Sequence, residues 1–123
     1  MLVPTKPWDK VLVFYRGLER RSERFRPMRR LVEHVVAQPY SALLFCTTSM
    51  HALLVAQHAE MEWGHDVLRI ECAETDVVRF TFQEQEFVKP ATWQCPDGEI
   101  ISTFEGFLRT SKWVARAVAA SDS

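Results

Sequence analysis

Three histidines recur at intervals of seven residues, and three acidic residues stand beside the last two: His51, His58 and His65, with Glu60, Glu62 and Asp66. On one continuous helix this spacing would place the histidines on one face, where they could ligate a metal ion. Gly64 would interrupt such a helix, and in a strand an odd spacing places consecutive histidines on opposite faces. We therefore predict no metal site and interpret the histidines as surface or loop residues that are candidates for binding.

Residues 46–51 place a thiol, three hydroxyl groups and an imidazole close together in the sequence. In an extended chain Ser49 and His51 would lie on the same side, as a nucleophile and its base require. No third group that would orient the histidine is evident, and the Gly-x-Ser-x-Gly elbow is missing. Because polar residues at a tight turn explain the same letters, we predict no catalytic residue and favour a protein that is not an enzyme.

The sequence separates its charges along the chain. Residues 16–30 contain seven arginines against two glutamates, a net charge of +5, whereas residues 60–86 contain eight acidic residues against two arginines, a net charge of −6. Four arginines, a residue type that suits phosphate contacts, are candidate binding residues: Arg24, Arg26, Arg29 and Arg30. Phe25 is the single aromatic residue among them, and no nucleic-acid-binding motif is present, so we expect no nucleic-acid partner. The basic segment could instead be a solvated face, or meet the acidic region of its own chain or of a second copy.

Aromatic residues occur in or near the predicted turns and the predicted edge strand, at Trp63, Phe87 and Trp93. Exposed aromatic side chains mark interfaces more often than chance, although each of these residues alone would ordinarily pack in a core. Trp63 lies between Glu62 and Gly64 in a predicted turn. We therefore expect it to be partly exposed and include it among the candidate binding residues.

Length and composition are those of one globular domain over residues 1–123. The apolar share of 47% allows a sizeable core without disulfides or metal, and the net charge of −1 gives no overall bias toward nucleic acid or membranes. Cys46, Cys72 and Cys95 match no zinc or redox spacing, so we interpret them as reduced thiols. The N-terminus has no signal-peptide pattern, and the apolar runs are far shorter than the roughly 20 residues that span a bilayer. We expect a cytoplasmic protein that needs no cofactor and contacts no membrane.

Helices are predicted in the first third of the chain. Apolar residues in 7–20 follow helical spacing, although Val11–Tyr15 is rich in β-forming residues and leaves a strand as the alternative. A second helix is predicted to begin at Pro27 and to end before Pro39. Its apolar stripe recurs at i, i+3, i+4, i+7 and i+8: Met28, Leu31, Val32, Val35 and Val36.

Strands are predicted in the middle of the chain. Residues 42–48 are typical of a buried strand, and residues 51–57 can be a helix capped by Ser49 or, as their short length favours, a partner strand. Between residues 66 and 84 two segments alternate polar and apolar residues, which predicts a hairpin with a four-residue loop over 73–76. One face of this hairpin carries six apolar side chains, and we expect the other face to point mostly to water.

The last part of the chain returns to a helix. Residues 87–94 are predicted to be an edge strand or a loop, because Pro90 cannot donate to a central ladder. A turn is predicted over residues 95–98, and helical spacing follows from Ile100 through Trp113 to Val118.

These patterns together predict an α+β domain. Its antiparallel sheet of four to five strands lies in residues 41–94 and is packed on one face by the N-terminal and C-terminal helices. With no catalytic constellation, separated charges and an open sheet edge, we predict a non-catalytic protein-interaction module that forms a homodimer. The alternative is a small-molecule or metal-binding protein that uses a cavity between sheet and helices, with His51 and His58 as its polar groups.

Overall fold

The computed structural model describes residues 2–62, 65–85 and 88–113. These residues contain three α-helices: α1 (Trp8–Arg21), α2 (Arg26–Val36) and α3 (Ile100–Thr110). Short 3-10 turns cover Glu23–Phe25, Pro39–Leu43 and Asp97–Glu99. The strands are β1 (Leu2–Val3), β2 (Phe45–Ser49), β3 (Ala52–Ala56), β4 (Met61–Glu62), β5 (Val67–Glu74), β6 (Val77–Gln83) and β7 (Ala91–Pro96).

Five of the described strands form one antiparallel sheet in the order β2-β3-β5-β6-β7, and β1 pairs with β4 in a separate two-stranded sheet. Neighbours in the large sheet follow each other along the chain apart from the short β4, because short connections join antiparallel strands. The predicted α+β class and antiparallel sheet are therefore confirmed, with the helices flanking the sheet. Within the described ranges, every helix is too short or too polar to cross a lipid bilayer.

Residues 8–21 form a helix, as their spacing predicts, and not the alternative strand. The side chains of Val11, Leu12 and Tyr15 are buried on one side of α1, so burial of an amphipathic face outweighs the local β propensity. α2 carries Pro27 in its first turn, where the missing N–H removes no helical hydrogen bond. Its predicted stripe is buried with the exception of the last residue, Val36, which is 38% exposed.

The hairpin of β5 and β6 has the predicted alternation. Leu68 pairs with Phe82 and Ile70 pairs with Phe80, so their side chains share the face toward the helices. The predicted four-residue loop over 73–76 is shorter in the structure, because the pairing continues to Glu74 and Val77 after an irregularity next to Cys72. Asp76, in the remaining two-residue turn, has φ 64°, a conformation that aspartate tolerates better than most residues.

Two other strands are displaced from their predicted positions. β2 begins at Phe45 and not at residue 42, because Pro39–Leu43 form a 3-10 turn. β7 is Ala91–Pro96 and not 87–94, so that Pro90 precedes the strand and the turn is confined to Asp97–Glu99. Residues 51–57 contain β3, as the favoured interpretation predicts.

The main core lies between one face of the large sheet and the three helices. Large side chains from every layer are completely buried there, including Tyr15 of α1, Met28 of α2, Phe80 of β6 and Phe104 of α3. Full burial of side chains of this size contributes about 1.5–3 kcal/mol each, which makes this cluster the main source of stability.

The opposite face of the sheet was expected to point mostly to water, and part of it is buried instead. A second, smaller apolar cluster lies there, where the β1–β4 pair covers the sheet: Leu54, Ala56, Met61 and Val67, with Val3 against them. The charged side chains of this face are half-buried and not fully solvated. Arg69 and Arg79 lie 3.3 and 3.5 Å from the carboxylate of Glu71.

Candidate functional site

Within the described part of the chain, the outer edge of β7 is unpaired. β6 pairs with the inner side of β7 from Val77↔Pro96 to Phe82↔Ala91, and no other strand of the described residues pairs with its outer side. The strand carries no charged side chain between Pro90 and Pro96. Charged residues on an edge are a common means of preventing edge-to-edge association, so β7 lacks one of the usual protections.

The opposite edge of the sheet, β2, is partly covered by the chain segment around Lys6. The backbone N–H of Lys6 donates to the carbonyl of Cys46 at 2.8 Å, which covers part of the edge. The ammonium group of Lys6 also donates to the hydroxyl of Thr48 at 2.9 Å. The two edges of the sheet therefore differ: among the described residues, the segment around Lys6 bonds to the outer side of β2, and no strand pairs with the outer side of β7.

A groove of about 450 Å³ lies beside β7, between this edge and α3. Its lining consists of two aromatic side chains of the sheet, one of the helix and small residues around them: Phe82, Ala91, Trp93, Thr103, Gly106, Phe107, Thr110 and Ser111. Trp93 stacks between Phe80, at 5.7 Å between ring centroids, and Phe107, at 5.8 Å. The half-buried Trp93 thus belongs both to the edge strand and to the groove.

Two of the three hydroxyl-bearing side chains of the groove, Thr103 and Ser111, are engaged within the protein. The hydroxyl of Ser111 donates to the carbonyl of Phe107 at 2.7 Å, and Thr103 hydrogen-bonds the thiol of Cys95. The groove is therefore suited to an apolar partner surface, because little hydrogen-bonding capacity remains free in it.

Gly106 opens the groove from the side of the helix. A Cβ atom at this position would meet no heavy atom within 4 Å, so packing inside the chain does not require glycine here. Glycine in a helix interior costs roughly 1 kcal/mol relative to alanine. The sequence thus carries an unfavourable residue at a position where its only visible effect is to leave space on the surface.

The structure does not bring the predicted histidines into one site. His51 and His58 lie beyond opposite ends of β3, and at roughly 3.3 Å per residue seven extended residues separate them by about 20 Å. The ring of His51 contacts Phe25 at 5.1 Å and is exposed. His58 and His65 do share one open depression, in which Gln57 donates to Asp66. No group of three or more potential metal ligands is found among the described residues.

The candidate arginines belong mostly to a helical hairpin. Arg29 donates to Glu19 at 2.6 Å, an interaction that lowers the pKa of that carboxyl group, first through the hydrogen bond and then through charge. Arg26 pairs with Glu23 at 3.2 Å, whereas Arg30 is exposed. Much of the positive charge of residues 16–30 is therefore paired within the hairpin, by contacts between α1, α2 and the turn that joins them.

One arginine reaches the acidic end of the sheet. Arg24 donates to the carbonyl of Cys72 at 2.8 Å and borders a cleft of about 230 Å³ that is also lined by Asp76 and Asp97. One arginine of the basic segment therefore lies beside acidic residues at the end of the sheet, although its hydrogen bond is to a backbone carbonyl. The contact is local, because Arg26 pairs with Glu23 of the preceding turn and Arg29 pairs with Glu19 of α1.

The cysteines are poorly suited to act as nucleophiles. Burial raises the pKa of Cys46 to about 12 and that of Cys72 to about 11, and it also raises the pKa of Cys95. Since the thiolate is the reactive form, these thiols are almost entirely protonated and inert near neutral pH. The sulfhydryl groups donate instead to backbone carbonyls, Cys46 to Lys6 at 3.4 Å and Cys72 to Arg24 at 3.2 Å.

Sequence reasoning missed a polar cluster between α2 and α3. One carboxylate oxygen of Glu105 accepts a hydrogen bond from the hydroxyl of Tyr40 at 2.7 Å and lies 2.8 Å from Nε2 of His34. The three residues come from separate elements, so no local pattern indicates them. The cluster holds the two helices and the turn after α2 together.

Sequence reasoning also missed the helical side of the groove. It pointed to Trp93 as a residue of an edge strand, but it did not connect that strand with Phe107 or Thr110. Gly106 in the middle of a helix was the available signal. Trp63 and Phe87, the other aromatic residues that the sequence singles out, lie outside the described residues, as does the helical pattern after Trp113. The helix itself ends at Thr110, short of the predicted continuation through Trp113.

In comparisons with known proteins, no family model matches this chain, and no curated protein or solved structure matches it either.

Proposed function

We propose that this protein is a non-catalytic interaction module that forms a homodimer through the outer edge of β7. The observation that carries the proposal is the open edge of Ala91–Pro96, which has no charged side chain. An exposed strand edge presents unpaired N–H and C=O groups, and a second strand can satisfy them by extending the sheet. The protonated thiols of Cys46 and Cys72 support the non-catalytic part of the proposal.

The edge offers apolar contacts as well as backbone hydrogen bonds. Ala91 is exposed and Trp93 is half-buried on the face that carries the groove, so a strand added to β7 would cover apolar surface next to them. A second copy of the chain is the simplest partner, because symmetric pairing uses the same edge twice. The three free cysteines accord with a reducing compartment, and we place the dimer in the cytoplasm.

The test is the oligomeric state of the wild type and of a charged edge variant, measured by sedimentation over a range of concentrations. In Thr92→Lys/Gln94→Lys, lysines stand on exposed positions of β7 that face away from the groove. The wild type is expected to dimerise and this variant to be monomeric, because like charges oppose each other across the paired edges.

The matched control adds two lysines at exposed positions far from β7. Val13→Lys/Met50→Lys changes side chains that are 66% and 88% exposed, and it should dimerise like the wild type. Circular dichroism confirms that each variant is folded. A wild type that stays monomeric at all concentrations, or an edge variant that dimerises as well as the control, would overturn the proposal.

A second candidate function is the binding of a small apolar molecule. The groove of about 450 Å³ beside Trp93 favours it, because the volume suits a small ligand and Thr103 and Ser111 in its lining are already hydrogen-bonded within the protein. The groove contains neither His51 nor His58, so the polar groups first considered for this function have no part in it. The anionic fluorescent dye 1-anilinonaphthalene-8-sulfonate, whose aromatic rings bind apolar surfaces, should bind with saturation to the wild type and more weakly to Gly106→Leu, which fills the groove. Equal binding by both proteins would exclude this site.

A further inference from the structure

The ends of β7 carry opposite charges. Lys89 lies two residues before the strand, and Asp97 and Glu99 follow it. Lys89 and Glu99 are exposed, Asp97 is half-exposed, and none of the three makes an ion pair with another described residue. A strand that is uncharged in its middle and oppositely charged at its two ends has a preferred direction for pairing with itself.

Antiparallel self-pairing brings these opposite charges together. Residues 89 and 97–99 lie just beyond the two ends of the strand. A two-fold axis at Trp93 therefore brings the end with residue 89 of one copy nearest residue 97 of the other, and an axis at Gln94 brings it nearest residue 99. Parallel pairing would place Lys89 against Lys89 and the acidic ends against each other. Only the antiparallel arrangement also closes under two-fold symmetry within one continuous sheet.

We propose that two copies of this chain pair through β7 in the antiparallel direction, with Lys89 of each copy facing the acidic end of the other, at Asp97 when the axis lies at Trp93 and at Glu99 when it lies at Gln94. The proposal rests on the proposed function, and it adds the direction of pairing and the residues that select it. The result is a ten-stranded sheet with two symmetric ionic contacts at the rim of the interface.

The groove supports a second copy as the occupant of this edge. In the antiparallel pair, Trp93 and Ala91 of both copies lie on the same face of the joined sheet, because side-chain alternation is preserved across the new ladder. The two grooves therefore flank the symmetry axis on one side. Apolar surface that is exposed in one copy then lies next to apolar surface of the other. This contact stabilises the dimer in addition to the ionic contacts at the two ends of β7.

Reversing the charge of Lys89 tests whether this residue contacts the acidic end of the second copy, because a dimer formed in another way would not depend on it. Lys89→Glu replaces both attractive contacts by repulsion and is expected to raise the dimer Kd by roughly tenfold or more. Lys10→Glu makes the same chemical change at an exposed position of α1 and is the matched control, with an expected Kd within about twofold of the wild type.

A mixing experiment tests the partner assignment directly. Asp97→Lys/Glu99→Lys should also dimerise weakly, because its acidic ends have become basic. Mixed with Lys89→Glu, it forms a heterodimer in which both rim contacts are attractive again. Native mass spectrometry should therefore show the heterodimer as the main dimeric species, at protein concentrations where each variant alone is monomeric.

The possible failures are distinguishable. A monomeric wild type overturns the proposed function, and this inference with it. A dimeric wild type whose Kd changes equally little in Lys89→Glu and Lys10→Glu overturns the inference alone. If Asp97→Lys/Glu99→Lys does not fold, the comparison of Lys89→Glu with Lys10→Glu still decides the question, because both substitutions are at exposed positions.

Discussion

The cluster of Glu105, Tyr40 and His34 allows a quantitative test of how the helices are held together. Glu105→Ala removes the acceptor of a hydroxyl that is completely buried, because Tyr40 has no exposed surface. A buried donor left without a partner costs about 1–3 kcal/mol, and hydrogen bonds to charged groups are stronger than average. We expect the free energy of unfolding to fall by about 2–3 kcal/mol.

Two further variants separate the hydrogen bond from the loss of packing. Tyr40→Phe removes the hydroxyl but leaves its ring, and should cost about 1 kcal/mol. Glu105→Gln keeps an oxygen that can accept from Tyr40 and should cost less than Glu105→Ala. In the double variant Tyr40→Phe/Glu105→Ala no unpaired hydroxyl remains, so the loss should be smaller than the sum of the single losses by about 1–2 kcal/mol.

The assay is urea denaturation followed by tryptophan fluorescence, at one fixed protein concentration so that self-association affects all variants alike. The midpoint should shift while the slope stays constant. A loss below about 0.5 kcal/mol for Glu105→Ala, or strictly additive losses in the double variant, would refute the assignment of Glu105 as the acceptor on which Tyr40 depends.

Three other perturbations have definite expected results. Gly106→Ala should raise the free energy of unfolding by about 0.5–1 kcal/mol in thermal melts, because the new Cβ meets no atom within 4 Å; a lower melting temperature would contradict this. Phe80→Ala should cost about 3–5 kcal/mol, since its ring is completely buried against Trp93; a loss below 1 kcal/mol would mean that the site collapses or is not core. The pKa values of Cys46 (about 12) and Cys72 (about 11) are raised by burial, so the native state keeps protons that the unfolded state releases above about pH 9. Stability should therefore be complete below pH 9 and decline as pH rises toward 11, by roughly 1 kcal/mol per thiol at pH 10, and Cys46→Ala/Cys72→Ala should decline less.

Local patterns were sufficient for most of the fold. Helical spacing over three turns identified α1 against its own β-rich residues, and period-2 alternation identified the face that Ile70 and Phe80 share. Both patterns report which side of an element must be buried, and that requirement is written in consecutive residues. The boundaries of β2 and β7 shifted because prolines and 3-10 turns at their ends are weaker signals.

The candidate site depended on contacts that no local pattern contains. His51 and His58 are close in the sequence but are separated by the length of β3, whereas Trp93 and Phe107 come from different elements and stack at 5.8 Å. The same applies to Glu105, which meets Tyr40 across 65 positions of the chain.

The sequence by itself determined the α+β class, the three helices and the buried face of the β5–β6 hairpin. Only the tertiary structure decided which edge of the sheet stays open, where the groove lies and which charged groups find partners within the chain. The physical reason is the separation in sequence between the residues involved. A burial pattern depends on neighbours three or four residues away in a helix and two residues away in a strand. An open edge or a groove is created only when elements that are distant in the sequence pack together.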